Sequence, residues 1–300
     1  MTVITATAAP VDQAASAREG RRRSHSGNSQ LRAGWFTYLI LAVVAVLSLF
    51  PLYYTLVMAT RTNSEINQVP PPFIPGARLI HNIREAYSLI DLTKAMFNSV
   101  IVSGTIAVGT VLFCTMAGFA FAKLRFRFSS VLFGITIGTM LIPPSLGVIP
   151  LYQIMVKLGW TGQLKAVILP TLVTAFGVFF MRQFLIQSMP TELLEAGWID
   201  GASTFRIFLS IVLPIARPAM AVLGMLTFLQ AWNDFFWPIL VLDSSNPTVQ
   251  VALQQLGVGY VPDRAVILAG TFLTTIPVIL IFALLGRQIV GGIMHGALKG

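Results

Sequence analysis

The sequence predicts an all-α, polytopic membrane protein with six transmembrane helices. Of its 300 residues, 55% are apolar and only 10% are charged, and the apolar residues fall in charge-free runs too long for the helices of a soluble core. The windows without a charge are residues 33–60, 95–122, 128–156, 166–181, 218–233 and 265–286. Four exceed the roughly 20 residues that a helix needs to cross a bilayer. The other two reach that length if Arg182 and Asp234 lie near an interface or line a polar cavity.

A polar tail precedes the first apolar run. Residues 1–33 are rich in Ala, Ser and Arg and lack apolar periodicity, so we expect a disordered, basic cytoplasmic tail. The run that begins at Gly34 is longer than a signal-peptide core of about 7 to 15 residues, and no small-residue cleavage site follows it. We therefore expect an uncleaved span, and residues 34–300 should form the transmembrane domain.

The positions of the basic residues predict which side of the membrane each loop faces. The net charge is +9, but the basic residues flank apolar spans and form no interleaved aromatic and basic surface, which excludes nucleic acid as the expected partner. If both termini are cytoplasmic, 13 of the 20 cationic residues lie on internal segments, as the positive-inside rule requires. The internal set is Arg18, Arg21, Arg22, Arg23, Arg32, Lys123, Arg125, Arg127, Arg182, Arg206, Arg217, Arg287 and Lys299. The segment 182–217 then faces the cytosol.

Prolines mark both a loop and the spans. Residues 60–94 predict a long external loop, in which four prolines between 70 and 75 favour an extended course, and Asn82–Ala95 predicts a short amphipathic helix that leads into the second span. Within the spans lie Pro143, Pro144, Pro238 and Pro277. These prolines either kink the helices and widen an internal path or reflect the higher frequency of proline in membrane helices.

Catalytic and cofactor motifs are missing from the sequence. It contains no G-x-x-x-x-G-K-[ST] phosphate loop, and its three histidines lie in tails or loops without an H-E-x-x-H zinc motif. The single cysteine, Cys114, lies in the second apolar run, where packing is its expected role. We therefore expect a non-enzymatic chain that binds no cofactor and no metal.

The most informative segment is the polar stretch between residues 190 and 218. Pro190 suits the first turn of a helix, and two glutamates follow near the positive end of that helix. Asp200 and Gly201 predict its end, because glycine readily adopts the left-handed conformation. Ser203 can then cap a second helix. The sequence predicts two short helices joined by a tight bend, with Pro214 and Pro218 marking the turn back into the membrane.

Small residues give this segment the properties of a docking surface. Little side-chain bulk is expected at Ala196, Gly197, Gly201 and Ala202, so another protein could approach the backbone closely. The expected apolar anchors, in the manner of a helix lying in a groove of its partner, are Leu193, Leu194 and Trp198. The alternative interpretation is an amphipathic connector that rests on lipid headgroups.

The spacing of this segment resembles the "EAA" loop of permease subunits in binding-protein-dependent ABC importers, in particular the maltose-permease-G-like sugar branch. The matching residues are Glu195, Ala196, Gly197, Asp200, Gly201, Ala202, Leu213, Pro214 and Pro218. Residues 97–99, 231–235 and 291–300 also resemble this branch, and the likeness covers nearly all of residues 34–300. Gly197 stands where the family usually has alanine, which should loosen the helix by about 0.5 to 1 kcal/mol.

The resemblance implies a type I ABC importer permease in the bacterial cytoplasmic membrane. The implied partners are a homologous second permease subunit in a heterodimer, two ATPase subunits that bind ATP and Mg, and an extracytoplasmic solute-binding protein that delivers a sugar, with an oligosaccharide expected. The loop 188–218 would carry the coupling helix that contacts the ATPase, through Glu195 to Gly197, Asp200 to Ala202, Leu213 and Pro214. Lys299 and Gly300 would add a second contact.

The translocation path has three candidate residues, Trp232, Asn233 and Asp234. An acid within a predicted span is by default a functional hypothesis. These side chains could contact a passing sugar, but we favour an interfacial aromatic belt or helix packing as their role. Two other functions remain as alternatives to an ABC importer. The second-ranked function is a six-span secondary carrier or channel without ATPase partners, which predicts a midplane ion site. The third-ranked function is a membrane enzyme.

Overall fold

The computed structural model describes residues 34–258 and 262–297, with side chains described as far as residue 284 and at residue 286. The predicted tail 1–33 and the predicted contacts Lys299 and Gly300 lie outside the described residues. The chain divides into two compact units, Met1–Tyr54 and Thr55–Gly300. All secondary structure in the described ranges is helical.

Fourteen α-helices follow one another through the described part of the chain, together with short 3-10 and π segments. The α-helices are α1 Trp35–Ala59, α2 Asn63–Ile66, α3 Leu79–Leu89, α4 Leu92–Lys123, α5 Ser129–Thr139, α6 Val148–Lys157, α7 Lys165–Ile168, α8 Ala175–Ser188, α9 Glu192–Ile199, α10 Thr204–Ile207, α11 Leu213–Asn233, α12 Phe236–Val241, α13 Val249–Leu256 and α14 Arg264–Ala297. The other segments are the 3-10 helices Pro144–Gly147 and Leu169–Thr171 and the π-helix Phe208–Val212.

Six spans are obtained when two bent helix pairs are each counted as one. Four helices of the described chain are long and apolar enough to cross a membrane, and the two bent pairs raise the number to six. The helical fold class and the six-span count predicted from the sequence are therefore supported. In the first unit, residues 34–54 are exposed nearly throughout, and α1 begins at Trp35.

The third predicted span, 128–156, is not one continuous helix. The segments Ser129–Thr139 and Pro144–Lys157 meet at an angle of 93°. Pro143 has an extended backbone, with φ −58° and ψ 128°, because a residue that precedes a proline is sterically kept out of the helical region. The chain thus turns through about a right angle at the proline pair.

The fourth and fifth spans also differ from the expected continuous helices. In the fourth, Lys165–Thr171 and Ala175–Ser188 meet at 42°, and the Thr174 side chain caps α8 by accepting a hydrogen bond from the Gly177 amide at 3.0 Å. In the fifth, α11 ends at Asn233. Pro238 therefore lies in the separate helix α12. The prediction from the sequence that it lies within the fifth span is wrong.

The second unit is organised around α4, which packs against both α8 and α11, while α14 packs against α11 and α3. Small residues permit the closest approach of α4 and α8. A Cβ atom on Gly118 would lie 2.8 Å from the backbone nitrogen of Arg182, and one on Gly177 would lie 2.7 Å from Sγ of Cys114. Helices in membranes commonly approach through such positions. Cys114 is fully buried, which confirms its packing role.

Polar side chains at the start of α4 hold a distant loop. Nδ2 of Asn98 donates to the Pro247 carbonyl oxygen at 3.0 Å, and Oγ of Ser99 accepts a hydrogen bond from the Val249 amide at 2.8 Å. The amphipathic helix predicted at residues 82–95 corresponds to α3. This helix begins earlier, at Leu79, and ends earlier, at Leu89. Asp91 then caps α4 by accepting from the Lys94 amide at 3.0 Å.

Candidate functional site

The segment after α8 folds into the two short helices predicted from its sequence. Helix α9 begins after Thr191 and ends at Ile199. Gly201 follows with φ +76°, its amide donates to the Trp198 carbonyl oxygen at 3.0 Å, and the Ala202 amide donates to that of Gly197 at 2.9 Å. This pair of bonds is the Schellman arrangement, in which a left-handed residue satisfies the last carbonyls of a helix.

The second short helix continues into the fifth span without a turn. The Ser203 side chain caps α10 by accepting from the Arg206 amide at 3.3 Å, as predicted. The chain from Thr204 to Asn233 is then one apolar helical run of 30 residues, so the expected turn at Pro214 and Pro218 is wrong. The π segment ends immediately before Leu213. Pro214 has no backbone N–H to donate, and the wider turn of the π segment allows the helix to continue despite this missing hydrogen bond.

The inward face of this segment belongs to the core of the chain. Leu194 and Ile207 are almost fully buried and join a cluster with Met181, Leu185 and Phe208. The prediction that Leu194 anchors a partner is therefore wrong, because its side chain is used inside this chain.

Gly197 is also buried, so its expected place on the docking surface is wrong. A Cβ atom at this position would lie 3.1 Å from Cγ1 and Cδ1 of Ile207. The missing side chain lets α9 lie close to the start of the fifth span. Gly197 therefore serves the internal packing of the loop.

The outward face combines small, acidic and apolar residues. Ile199 is 86% exposed and Phe205 63% exposed, and these two are the most exposed apolar side chains of the segment. We call the exposed apolar and small residues of this face the bend surface: Leu193, Ala196, Trp198, Ile199, Gly201 and Phe205. Around them Glu192, Glu195 and Asp200 are exposed, whereas Ala202 is half-buried.

Ile199 and Phe205 were missed in the sequence. The signal was available for Ile199, because Leu194 and Gly197 have the three-residue spacing of one helix face and Ile199 lies off that face. Leu213 and Pro214 do not belong to the bend surface: Leu213 packs against the internal core, and Pro214 is exposed on α11.

The three candidate residues of the translocation path point in different directions. Trp232 is buried and stacks on Phe228, with ring centroids 5.6 Å apart, which is a packing role. Asn233 is exposed, and its Nδ2 donates to the Leu229 carbonyl oxygen at 2.8 Å. Asp234 alone of the three lines a cavity.

This cavity has a volume of about 600 Å³ and lies between the bent third span, the fourth span and the end of α11. Its polar lining includes Ser145, Thr227, Gln230 and Asp234, beside the aromatic ring of Phe236. Ligand sites in proteins commonly have volumes of roughly 300 to 1,000 Å³ and mostly apolar walls with a few polar groups. Among the described residues, no group of three or more His, Cys, Asp or Glu could hold a metal ion.

The comparison with protein families decides the relationship of this chain. The family model described as "Binding-protein-dependent transport system inner membrane component" matches residues 111–291. This chain belongs to that family. The matched range includes the bend surface and most of the cavity lining.

Several relatives of this chain are permease proteins of transport systems. The chain is 32% identical to the arabinooligosaccharides transport system permease protein AraQ of Halalkalibacterium halodurans, over 89% of this chain and 96% of that protein. It is 30% identical to the lactose transport system permease protein LacG of Rhizobium radiobacter, over 87% and 95%. It is also 30% identical to the sn-glycerol-3-phosphate transport system permease protein UgpE of Rhizobium meliloti, over 86% and 95%.

A solved structure shows the same fold. The match is to the crystal structure of a bacterial ABC transporter involved in the import of the acidic polysaccharide alginate, with a TM-score of 0.72, 20% sequence identity, and coverage of 93% of this chain and 99% of that chain. The fold class predicted from the sequence, an ABC importer permease, is thereby confirmed. The resemblance to sugar-type permease subunits is confirmed by the family and the relatives.

Proposed function

We propose that this chain is one permease subunit of an ATP-driven sugar importer and that its bend surface docks onto a separate nucleotide-binding ATPase subunit. The observation that supports this proposal most is the exposure of Ile199 and Phe205 on a segment whose opposite face is buried in the core. Contiguous exposed apolar groups rimmed by polar residues are typical of protein interaction sites. The oligosaccharide expected as substrate follows the names of the relatives that transport lactose and arabinooligosaccharides.

The packing of the bend suits it to transmit movement. Leu194 and Ile207 fix the two short helices to α4, α8 and the start of the fifth span. From Thr204 the helical run of 30 residues extends for roughly 45 Å at 1.5 Å per residue. A force applied to the bend surface would therefore move the fifth span as a rigid body, and the spans would switch between inward and outward access.

The charges of the segment disfavour the alternative of a connector on lipid headgroups. Helix α9 carries Glu192 and Glu195 and is followed by Asp200, and all three acids are exposed. Helices that lie on membranes usually present Lys and Arg, because the cytoplasmic leaflet is negatively charged. An apolar surface with an acidic rim instead fits a groove with an apolar floor and cationic edges on a partner protein.

The proposed assembly contains three kinds of partner subunit. A homologous second permease subunit completes the path, two ATPase subunits bind ATP and Mg, and an extracytoplasmic solute-binding protein delivers the sugar. In this arrangement both termini lie in the cytoplasm, so the bend surface faces the ATPase subunits. The chain itself contributes half of the path and no catalytic residue.

Co-purification of the ATPase tests the proposal. The variant Ile199→Asp combined with Phe205→Asp places two charges at the proposed contact, whereas Ile199→Leu keeps its apolar character and serves as the matched control. Loss of apolar anchors at the centre of an interface commonly costs at least about 2 kcal/mol, so we expect at least tenfold less ATPase recovered with the double variant, and loss of ATP-driven uptake.

The contradicting results are equally definite. If the double variant elutes as a folded protein and still recovers the ATPase as well as Ile199→Leu does, the bend surface is not the contact. If wild-type protein recovers no ATPase and takes up sugar without ATP, the chain functions as a secondary carrier or channel.

A further inference from the structure

We infer that the cavity at the end of α11 binds one residue of an uncharged sugar and rejects anionic substrates. This inference rests on the proposed transport function and specifies the substrate class of the path. The cavity lies at the end of the 30-residue helical run opposite the bend surface. Its volume of about 600 Å³ is sufficient for a monosaccharide ring together with several water molecules.

Two polar side chains of α11 and the residue that directly follows this helix line the cavity as a stripe. Thr227, Gln230 and Asp234 line it together, and their spacing of three and four residues places them on one side of the chain. Ser145 and Gln230 are exposed, and Thr227 is half-buried. The hydroxyl and amide groups of these side chains can therefore bond a ligand in place of water.

The position of the Asp234 carboxylate is fixed by the chain that follows it. The backbone amides of Trp237 and Phe236 face this carboxylate, and Trp237 is itself held by a hydrogen bond from its Nε1 to the Ala166 carbonyl oxygen at 3.0 Å. A carboxylate accepts hydrogen bonds from two neighbouring hydroxyls, and an amide both donates and accepts. Asp234 and Gln230 together therefore match the vicinal hydroxyl groups of a sugar ring.

An aromatic ring completes the complementarity to a sugar. Phe236 lines the cavity and is more than half exposed, so its apolar face is available. A pyranose or furanose ring has an apolar C–H face as well as polar hydroxyl edges. The ring can thus lie against Phe236 while its hydroxyls reach the polar stripe.

The charge of the lining decides between sugar classes. Asp234 is its one charged residue, and no Lys, Arg or His lines the cavity among the residues described there. A phosphate or carboxylate taken from water into this site would lack a compensating cation and would lie near another anion, so its transfer is unfavourable. An uncharged sugar meets no such barrier.

A cysteine introduced at Ala231, which lines the cavity and has no proposed hydrogen bond to the sugar, tests the inference in the complete transporter. The native Cys114 is buried, so the unmodified chain reports the background reaction. We expect the Ala231→Cys thiol to react about tenfold faster with a cationic than with an anionic methanethiosulfonate reagent of similar size, because the nearby carboxylate attracts the cation. Adding Asp234→Asn, which keeps the shape, should lower this ratio at least threefold.

Protection by sugars supplies the second readout. Lactose, maltotriose and arabinotriose are the uncharged probes, and sn-glycerol 3-phosphate is the anionic probe. We expect at least one uncharged probe to slow labelling of Ala231→Cys severalfold and the anionic probe to have no effect. Asn233→Cys is the matched control, since this neighbour lies outside the cavity and should not be protected.

The outcomes separate this inference from the function on which it rests. ATP-driven uptake is measured on the same preparations. If uptake requires ATP but no uncharged probe protects the thiol, or Asp234→Asn leaves the charge ratio unchanged, or the anionic probe protects, the cavity inference is overturned while the transport function stands. If uptake does not require ATP, the proposed function fails whatever the labelling shows.

Discussion

The two ends of the helical run from Thr204 to Asn233 carry opposite side-chain chemistry. At its start, the apolar side chains of Ile199 and Phe205 point away from the protein beside exposed acids. At its far end, Thr227, Gln230 and Asp234 line a cavity with mostly apolar walls. The two sets differ in the polarity of their surroundings: apolar side chains are exposed beside acids at the first end, and polar side chains line a mostly apolar cavity at the second.

This difference shows how one helix can serve two tasks. The exposed apolar end is suited to contact with a protein, where burial in the complex supplies the free energy. The polar end is suited to a hydrated ligand that passes through. Because the helix between them is continuous, movement at the first end reaches the second. Substitutions that damage both ends, one end, or neither can test this division.

A change that should damage both ends is Gly118→Ala. The new Cβ atom would lie 2.8 Å from both the Arg182 backbone nitrogen and Cβ of Met181, so α4 and α8 must separate. Overpacking of this kind costs typically 1 to 3 kcal/mol, and we expect about 2 to 3 kcal/mol because backbone is involved. The matched control is Gly104→Ala in the same helix, where no atom lies within 4 Å.

The measurement for this pair is thermal unfolding of the purified subunit complex in detergent, followed by ATP-driven uptake. We expect Gly118→Ala to lower both and Gly104→Ala to change neither. Equal stability of the two variants would show that the α4–α8 contact does not hold the two ends together.

A change that should damage only the bend is Gly201→Val. This position has φ +76° and open space around it, so the backbone conformation alone limits substitution. A β-branched residue in the left-handed region costs about 1 to 2 kcal/mol, whereas asparagine tolerates that region. We expect Gly201→Val to lower ATPase recovery and uptake at least fivefold and Gly201→Asn to retain both.

The labelling of Ala231→Cys should not differ between the two Gly201 variants, since the cavity lies at the other end. A Gly201→Val protein that couples as well as Gly201→Asn would show that the sharp bend is dispensable. Altered labelling would show that the two ends are not separable.

A smaller change at the cavity end is Trp237→Phe. It removes the bond from Nε1 to the Ala166 carbonyl oxygen and keeps an aromatic ring, so we expect a loss of about 1 kcal/mol of stability. Sugar protection at Ala231→Cys should weaken because the backbone that faces Asp234 loosens. ATPase recovery should stay at the wild-type level, and a drop in recovery would contradict the assignment of Trp237 to the cavity end.

The smallest effect is expected at Glu65, which belongs to neither end. Hydrogen bonds from the Thr62 backbone amide and side chain, with a further contribution from Arg61, lower the pKa of Glu65 below its ordinary value of 4.5. Because the pKa of Glu65 is lower in the folded than in the unfolded protein, the carboxylate stabilises the folded state fully at a pH above the unfolded-state pKa. This stabilisation is lost as the pH falls through the folded-state pKa. Acid should therefore weaken the cap of α2.

The comparison for this prediction is Glu65→Gln, which keeps the capping bonds and cannot titrate. The difference in unfolding temperature between wild type and Glu65→Gln should be constant from pH 7 to about 5. Below about pH 4 the unfolding temperature of the wild type should fall relative to that of Glu65→Gln. A difference that does not depend on pH would contradict the role of the carboxylate.

The sequence predicted those parts of the fold that depend on neighbouring residues. The ends of α9 and the start of α10 follow from Gly201 and Ser203, whose backbone and side-chain preferences act within a few residues. The six apolar runs likewise predicted six spans. The inward side of α9 was not predicted, because it depends on Ile207, which reaches Gly197 only once the bend has formed.

Other features depend on contacts that no local pattern contains. The Asn98 side chain bonds a carbonyl 149 residues away, although a resemblance had marked it only as the start of a span. The three candidates for the path, Trp232, Asn233 and Asp234, were consecutive, whereas a helix turns about 100° per residue. Consecutive side chains therefore cannot share one wall. Of the three only Asp234 lines the cavity, and Thr227 and Gln230 were missed.

The docking of the bend surface is tested most directly by photo-crosslinking from Ile199. A benzoylphenylalanine introduced at this position in the assembled transporter should yield a covalent product with the ATPase subunit, and the same probe at the exposed residue Ile135 of α5 should not. If the probe at Ile199 reacts only with lipid, or only with the second permease subunit, the bend surface is not the contact with the ATPase.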